Sequence, residues 1–226
     1  MEVHQIYTFS FLRNFSYVLE SPKRKVAYCV DPWDADQILE ILNKKNLELK
    51  AIINTHEHGD HIRGNESLVK KTGCQVWAHK NAKGKIPGVD TFLNGGEEIS
   101  LEEGWSLRVL DTPGHTFAHL CFLLQGPKGP TGLFSGDTLF NAGVGNCHNG
   151  GDPEVLFETV SKQLRDLPGD VILYPGHEYL ENNLGFTLDR EPSNKEAKNL
   201  YGEVQKETPP PSGYRVFNME MERKIN

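Results

Sequence analysis

The sequence of 226 residues lacks several features that would assign it to a specialised class of protein. It contains no apolar run long enough to cross a membrane as a helix, so we expect no membrane partner. It also lacks a basic excess, because 24 Lys and Arg face 31 Asp and Glu and give a net charge of −7. Nucleic acid requires a basic protein face, so this balance argues against a nucleic-acid partner.

Cysteine is scarce, and the four cysteines form no C-x-x-C pair. They are widely spaced, at Cys29, Cys74, Cys121 and Cys147. This spacing is typical of reduced thiols and predicts a cytoplasmic protein. The N-terminus also lacks the charged and apolar leader of a signal peptide, which favours the same compartment. Internal repeats and low-complexity tracts are absent as well, and the length suffices for one large domain with a substantial core.

What the sequence does contain is a dense cluster of metal-ligating side chains in the segment THEHGDH. Four potential ligands lie within six residues: His56, His58, Asp60 and His61. The apolar segment 51–54 precedes them and is typical of a buried strand, so the ligands follow a strand end. Alternate side chains of an extended segment share a face, and Gly59 then lets the chain turn. This spacing favours two adjacent metals over one.

Other candidate ligands also follow apolar strand-like segments. His115 leaves a Pro-Gly turn, Asp137 follows the strand predicted at 131–134, and His177 follows the strand predicted at 171–174. Strand ends gathered along one edge of two sheets would form one pocket. For three further residues we expect ordinary roles: a turn cap for Asp31, a structural or solvent-facing role for His79, and packing or hydrogen bonding for His119.

The remaining pattern predicts strands interspersed with helices, which indicates two mixed sheets with helices outside. We predict strands at 3–9, 15–19, 26–30, 75–79, 106–110 and 119–124, besides those named above. We predict helices after Asp34, over 65–72, after Asp152, and from a capping box of Ser193 and Glu196 to about 205. The fold class is therefore α/β, a four-layer αββα sandwich. After the three prolines at 209–211 we expect a loosely attached tail.

The segments THEHGDH, TPGHT, SGDTLF and YPGHEY, in this order, resemble the metallo-β-lactamase superfamily. The segments at 136–145, 176–179, 182–186 and 191–194 narrow the resemblance to glyoxalase II, the hydroxyacylglutathione hydrolases. The similarity covers roughly residues 3–205. It implies a metallo-β-lactamase-fold hydrolase domain over 1–207, with a short C-terminal tail over 208–226.

The resemblance also implies a ligand set that the sequence supplies in full. One metal would be held by His56, His58 and His115, and the other by Asp60, His61 and His177. Asp137 would bridge the two metals, and with Asp60 it would form the catalytic carboxylate pair. Imidazole and carboxylate ligands without thiolate favour two zinc ions per chain, with iron or manganese as alternatives.

The activity implied is hydrolysis of a thioester, such as S-D-lactoylglutathione or another S-(2-hydroxyacyl)glutathione, by a metal-bridging hydroxide. The thiol, with a pKa near ~8.5, can leave without a general acid. Alternatives on the same fold are a persulfide dioxygenase with one iron, and a lactonase. The resemblance suggests substrate contacts at Asn146, His148 and Tyr179. Asn146, however, stands where the family often has a cation, so we expect a raised KM for glutathione thioesters.

Overall fold

Two six-stranded β-sheets pack face to face in the computed structural model, which describes residues 1–206 and 214–226. The first sheet contains six strands in chain order: β1 (Glu2–Tyr7), β2 (Phe15–Ser21), β3 (Val26–Val30), β4 (Glu48–Ile53), β5 (Gln75–His79) and β6 (Thr91–Leu93). The strands β1 to β3 pair antiparallel, whereas β3 to β6 pair parallel. Parallel neighbours end at the same edge of a sheet, so the loops after β3 and β4 lie side by side.

The second sheet is also mixed. Its members are β7 (Glu98–Glu102), β8 (Trp105–Asp111), β9 (Leu120–Gly126), β10 (Gly129–Gly136), β13 (Ile172–Pro175) and β14 (Phe217–Asn218). All neighbours are antiparallel except β10 and β13, which run parallel and therefore end at the same edge. A short ladder of β11 (Leu139–Phe140) and β12 (Gly143–Val144) follows β10.

The main core lies between the two sheets. Successive side chains of a strand point to opposite faces of the sheet, so every second residue of a strand faces this core. Tyr17 of β2 and Phe122 of β9 belong to the cluster between the sheets, whereas their neighbours Val18 and Leu123 belong to the outer clusters. Phe134 of β10 completes the inner layer and packs edge-on against Tyr17 with ring centroids 5.4 Å apart.

Helices cover both outer faces. The helices are α1 (Ala35–Lys45), α2 (Gly59–Ile62), α3 (Asn65–Thr72), α4 (Pro153–Thr159, continued by a π turn over Val160–Leu164), α5 (Leu180–Arg190), α6 (Lys195–Val204) and α7 (Met219–Ile225). Ile38 of α1 and Leu68 of α3 are fully buried against the first sheet. Leu164 of the π turn is fully buried against the second sheet. This arrangement confirms the predicted four-layer sandwich.

The helix starts agree with the sequence in part. Asp34 caps α1 as predicted, since its side chain accepts a hydrogen bond from the N–H of Asp36. The predicted capping box at Ser193 is wrong by one residue, because Asn194, an equally good cap, accepts from the N–H of Ala197. Helix α5 was not predicted at all. Its asparagines and glycine are poor helix formers, and the fully buried Leu184 shows that packing stabilises it.

The expectation of a loosely attached C-terminal tail is wrong for residues 217–226. Strand β14 pairs with β13, and α7 buries Met219, Glu222 and Ile225. The prolines at 209–211 and the predicted boundary at 207 lie outside the described residues, so the division into a domain and a tail stays a prediction.

Candidate metal centre

The seven predicted ligand side chains converge at one edge of the two sheets. His56 and His58 follow β4, and the short helix α2 carries Asp60 and His61. The other three lie in loops of the second sheet: His115 between β8 and β9, Asp137 after β10, and His177 after β13. All of them are buried or half-buried, so the strand ends form a pocket lined by imidazole and carboxylate groups.

Three histidines form the first group. The Nδ1 atom of His58 lies 3.0 Å from Nε2 of His56 and 3.0 Å from Nε2 of His115. These are the spacings expected of nitrogens that share one ion at ~2.0–2.1 Å. The three residues could therefore hold one metal.

The second group contains Asp60, His61 and His177. The Nε2 atoms of the two histidines lie 3.2 Å apart, and each lies 3.4 Å from Oδ2 of Asp60. Asp137 faces both groups, because Oδ1 lies 3.3 Å from Nε2 of His61, and Oδ2 lies 3.5 Å from Nε2 of His115. The membership of both groups is the one that the sequence resemblance implies.

The outer ring nitrogens of three histidines donate to backbone carbonyls, which can only accept. His115 Nδ1 donates to Asn146 O at 2.5 Å, and His177 Nδ1 donates to Leu12 O at 2.8 Å. His58 Nε2 donates likewise to the carbonyl of residue 149 at 3.2 Å. In a neutral imidazole only one nitrogen carries a proton, so the opposite nitrogen of each ring presents a lone pair to the pocket.

The carboxylate of Asp31 orients the other two histidines. Its Oδ2 accepts from His61 Nδ1 at 2.9 Å and from the hydroxyl of Thr55 at 2.5 Å. Because that hydroxyl donates to Asp31, Thr55 Oγ1 accepts from His56 Nδ1 at 3.0 Å. Both rings therefore also direct an Nε2 lone pair into the pocket, in the carboxylate–histidine arrangement found behind metal ligands.

Five lone pairs and two carboxylates thus face one another, and this set of donors suits divalent cations. Asp137 Oδ1 is buried, and no donor among the described residues forms a hydrogen bond with it. Burial, assisted by His61, lowers the pKa of His56 well below its usual value, which favours the neutral ring that binds metal. The residues present fit a metal-binding site.

The sequence did not lead us to predict the roles of two residues that position the ligands of this pocket. Asp31 is not the simple turn cap that we expected, since it is buried and supports two histidines. Its position after β3 repeats the strand-end pattern of the ligands, and this signal could have identified it. Asn14 donates its amide to Asp60 Oδ2 at 2.8 Å. Nothing in the sequence links the β1–β2 loop to Asp60, which lies 46 residues away.

The ordinary roles expected of His119 and His79 are confirmed. His119 is fully buried, and its Nε2 accepts from the N–H of Asp137 at 3.1 Å. His79 is buried rather than solvent-facing, and its Nδ1 accepts from the N–H of Asn81 at 3.1 Å.

Of the three suggested substrate contacts, Tyr179 lies against a candidate ligand, whereas Asn146 and His148 lie in the loop after β12. The ring of Tyr179 stacks on that of His177 with centroids 4.9 Å apart, and burial, with Asp137, raises its pKa to about 12. Asn146 is exposed, and it contacts the site through its carbonyl, the acceptor of His115. Its side-chain oxygen accepts from the N–H of the exposed His148.

Comparison with known proteins identifies the family. Residues 29–177 match the metallo-beta-lactamase superfamily. The chain is 46% identical to the hydroxyacylglutathione hydrolase of Nitrosococcus oceani over 226 residues, which span all of this chain and 84% of the relative. The chain belongs to the hydroxyacylglutathione hydrolase family. The family that the sequence motifs suggested is thereby confirmed.

Solved structures share the fold. ETHE1 from Myxococcus xanthus superposes with a TM-score of 0.75 at 23% identity, over 100% of this chain and 83% of that one, and it shows the fold alone. TTHA1623, solved in a di-iron-bound form, is 30% identical with a TM-score of 0.60 over 79% of this chain and 96% of that one.

All four cysteines of this chain are free thiols. Among the described residues, no helix is both long and apolar enough to cross a bilayer.

Proposed function

We propose that this chain hydrolyses the thioester bond of an S-(2-hydroxyacyl)glutathione such as S-D-lactoylglutathione, with two divalent metal ions. The observation that carries the proposal is the pair of complete ligand groups that share Asp137. The relative named hydroxyacylglutathione hydrolase, with 46% identity over the whole chain, supports the substrate class. The di-iron form of TTHA1623 supports two metals, and zinc is the first candidate here.

The ligand roles in this proposal follow the geometry. One metal would be held by His56, His58 and His115, and the other by Asp60, His61 and His177; Asp137 faces both groups. When bound, two such ions supply an activated water at neutral pH and polarise a carbonyl. The chain itself orients the histidine rings through Asp31 and the backbone carbonyls.

The side chains around the metals suit a thioester rather than an amide. A thiolate can leave unaided at neutral pH, whereas an amine must be protonated as it departs. Tyr179 stacks on His177, a member of the ligand group of Asp60, His61 and His177. Its contribution is therefore to bind and orient the substrate, together with the neighbouring Asn146 loop.

The test combines metal analysis with an assay. The purified protein should hold two metals per chain and should cleave S-D-lactoylglutathione far faster than the matched amide. Asp137→Ala should reduce both metal occupancies, whereas His61→Ala should reduce one and cost less activity. Lys162→Ala is the control, since the exposed Lys162 pairs with Glu158 at 3.0 Å and belongs to none of the candidate ligand groups. A fully active wild type with one metal at saturation would overturn the two-metal proposal.

A further inference from the structure

Arg13 lies in the loop between β1 and β2, beside the candidate metal centre. Its guanidinium carbon is 5.0 Å from the centroid of the Tyr179 ring, and that ring stacks on His177 at 4.9 Å. The Tyr179 ring thus contacts both the Arg13 guanidinium and His177, a candidate metal ligand. Tyr179 forms the surface between them.

Contacts on both sides hold Arg13 in this position. The carbonyl of Leu12 accepts from His177, and the side chain of Asn14 donates to Asp60. The carbonyl of Arg13 itself accepts from the N–H of Glu178 at 2.9 Å. The backbone of Arg13 is left-handed, with φ 59°. Gly or Asn would adopt this conformation more easily, so the backbone does not explain an arginine here.

The guanidinium retains capacity for a ligand. Its contact with a carboxylate among the described residues is with Glu178, at 3.6 Å, and the Arg13 side chain is 33% exposed. A guanidinium carries five N–H donors, so one long ion pair leaves most of them available.

Two other described side chains near the ligand groups are poor partners for a carboxylate. Asn146 is uncharged, and its side-chain oxygen already accepts from His148. Lys85, on the His58 side, is held by Glu57 at 2.6 Å. A tripeptide thiol places its carboxylates one to two residues from the sulfur, or roughly 4–7 Å in extended form.

We infer that Arg13 binds a carboxylate of the thiol carrier and thereby determines the preference for an anionic thioester. The inference rests on the proposed thioesterase function and adds a specificity residue to it. A charge-assisted hydrogen bond at a partly exposed site changes affinity by about tenfold. The acyl group and the metals are not involved, so the effect belongs in KM rather than kcat.

The experiment compares two substrates that carry the same acyl group. S-D-lactoylglutathione has carboxylates on its carrier, whereas S-D-lactoyl-N-acetylcysteamine has none. Arg13→Gln should raise KM for the glutathione thioester about tenfold and lower the preference for it by the same factor. Arg13→Lys should retain most of the preference, because it keeps the charge. Arg190→Gln is the matched control: Arg190 also lies over an aromatic ring, 5.3 Å from Phe186, at the far end of α5.

The outcomes separate this inference from the proposed function. If the wild type cleaves neither thioester, the proposed function fails and the inference fails with it. If it cleaves both but Arg13→Gln keeps the wild-type preference, thioester hydrolysis stands and the inference is wrong. If Arg13→Gln loses metal and kcat with both substrates alike, Arg13 is only a structural support of the His177 loop. Metal content measured for every variant distinguishes the last two cases.

Discussion

Replacing Asp31 with Asn should weaken metal binding without changing any proposed ligand. The carboxylate accepts three hydrogen bonds: from Thr55 N at 2.8 Å, from Thr55 Oγ1 at 2.5 Å, and from His61 Nδ1 at 2.9 Å. An Asn of equal size turns one acceptor oxygen into an NH2 group. That group would face the hydroxyl of Thr55 and the N–H of His61, so donors would oppose donors.

The size of the effect follows from these contacts. Residues that orient metal ligands typically change metal affinity by about 10–100-fold when mutated. Hydrogen bonds to a charged group contribute about 1.5–3 kcal/mol each, and losing two of the three here should lower the free energy of unfolding by about 3 kcal/mol or more. Backbone strain does not contribute, because Asp31 has φ 47°, a conformation that Asn tolerates well.

The assay is competition of each variant with a chelator of known affinity, together with urea unfolding of the metal-loaded protein. Asp34→Ala is the matched control, three residues further along the chain. Asp34 caps α1 through the N–H of Asp36 at 2.8 Å, so its loss should cost about 1 kcal/mol of stability and no metal affinity. Wild-type affinity for both metals in Asp31→Asn would refute the reasoning.

Three further predictions concern the loop behind Asp137, the core and the C-terminal helix. A methyl group at Gly145 would overlap the backbone oxygen of Asp137, so Gly145→Ala should lower kcat/KM by about a hundredfold, whereas Gly202→Ala, where the methyl meets open space, should not. Phe134→Ala should reduce the free energy of unfolding by about 3–5 kcal/mol in urea titrations, and a smaller loss would show that the sheets close over the cavity. Burial raises the pKa of Glu222 to about 8, so the folded state binds its proton more tightly than the unfolded state does, and stability is lost as pH rises from about 4.5 to about 8. Glu222→Gln should remove up to about 1.4 kcal/mol per pH unit of that slope, and unfolding curves with equal slopes in both proteins would contradict this.

Much of the architecture could be predicted because its signals are local. Alternating apolar residues mark strands such as β9, and Asp34 marks the start of α1, since period and capping depend on neighbours in sequence. Helix α5 and the C-terminal segment had no such signal. Leu184 of α5 and Ile225 of α7 are buried in the same apolar cluster. That cluster forms only when the chain is folded, so the sequence around either residue does not reveal it.

The candidate site divides along the same line. The sequence by itself determined which side chains could bind metal, because imidazole and carboxylate groups follow the ends of apolar strands in recognisable segments. Only the tertiary structure decided how those groups face one another, and it brought Asp31, Asn14 and Arg13 to them. Asp31 contacts His61 across 30 residues, Asn14 contacts Asp60 across 46, and Leu12, next to Arg13, contacts His177 across 165. Contacts over such separations depend on which strand ends lie next to each other at the sheet edge. The packing of the whole chain determines which ends are adjacent.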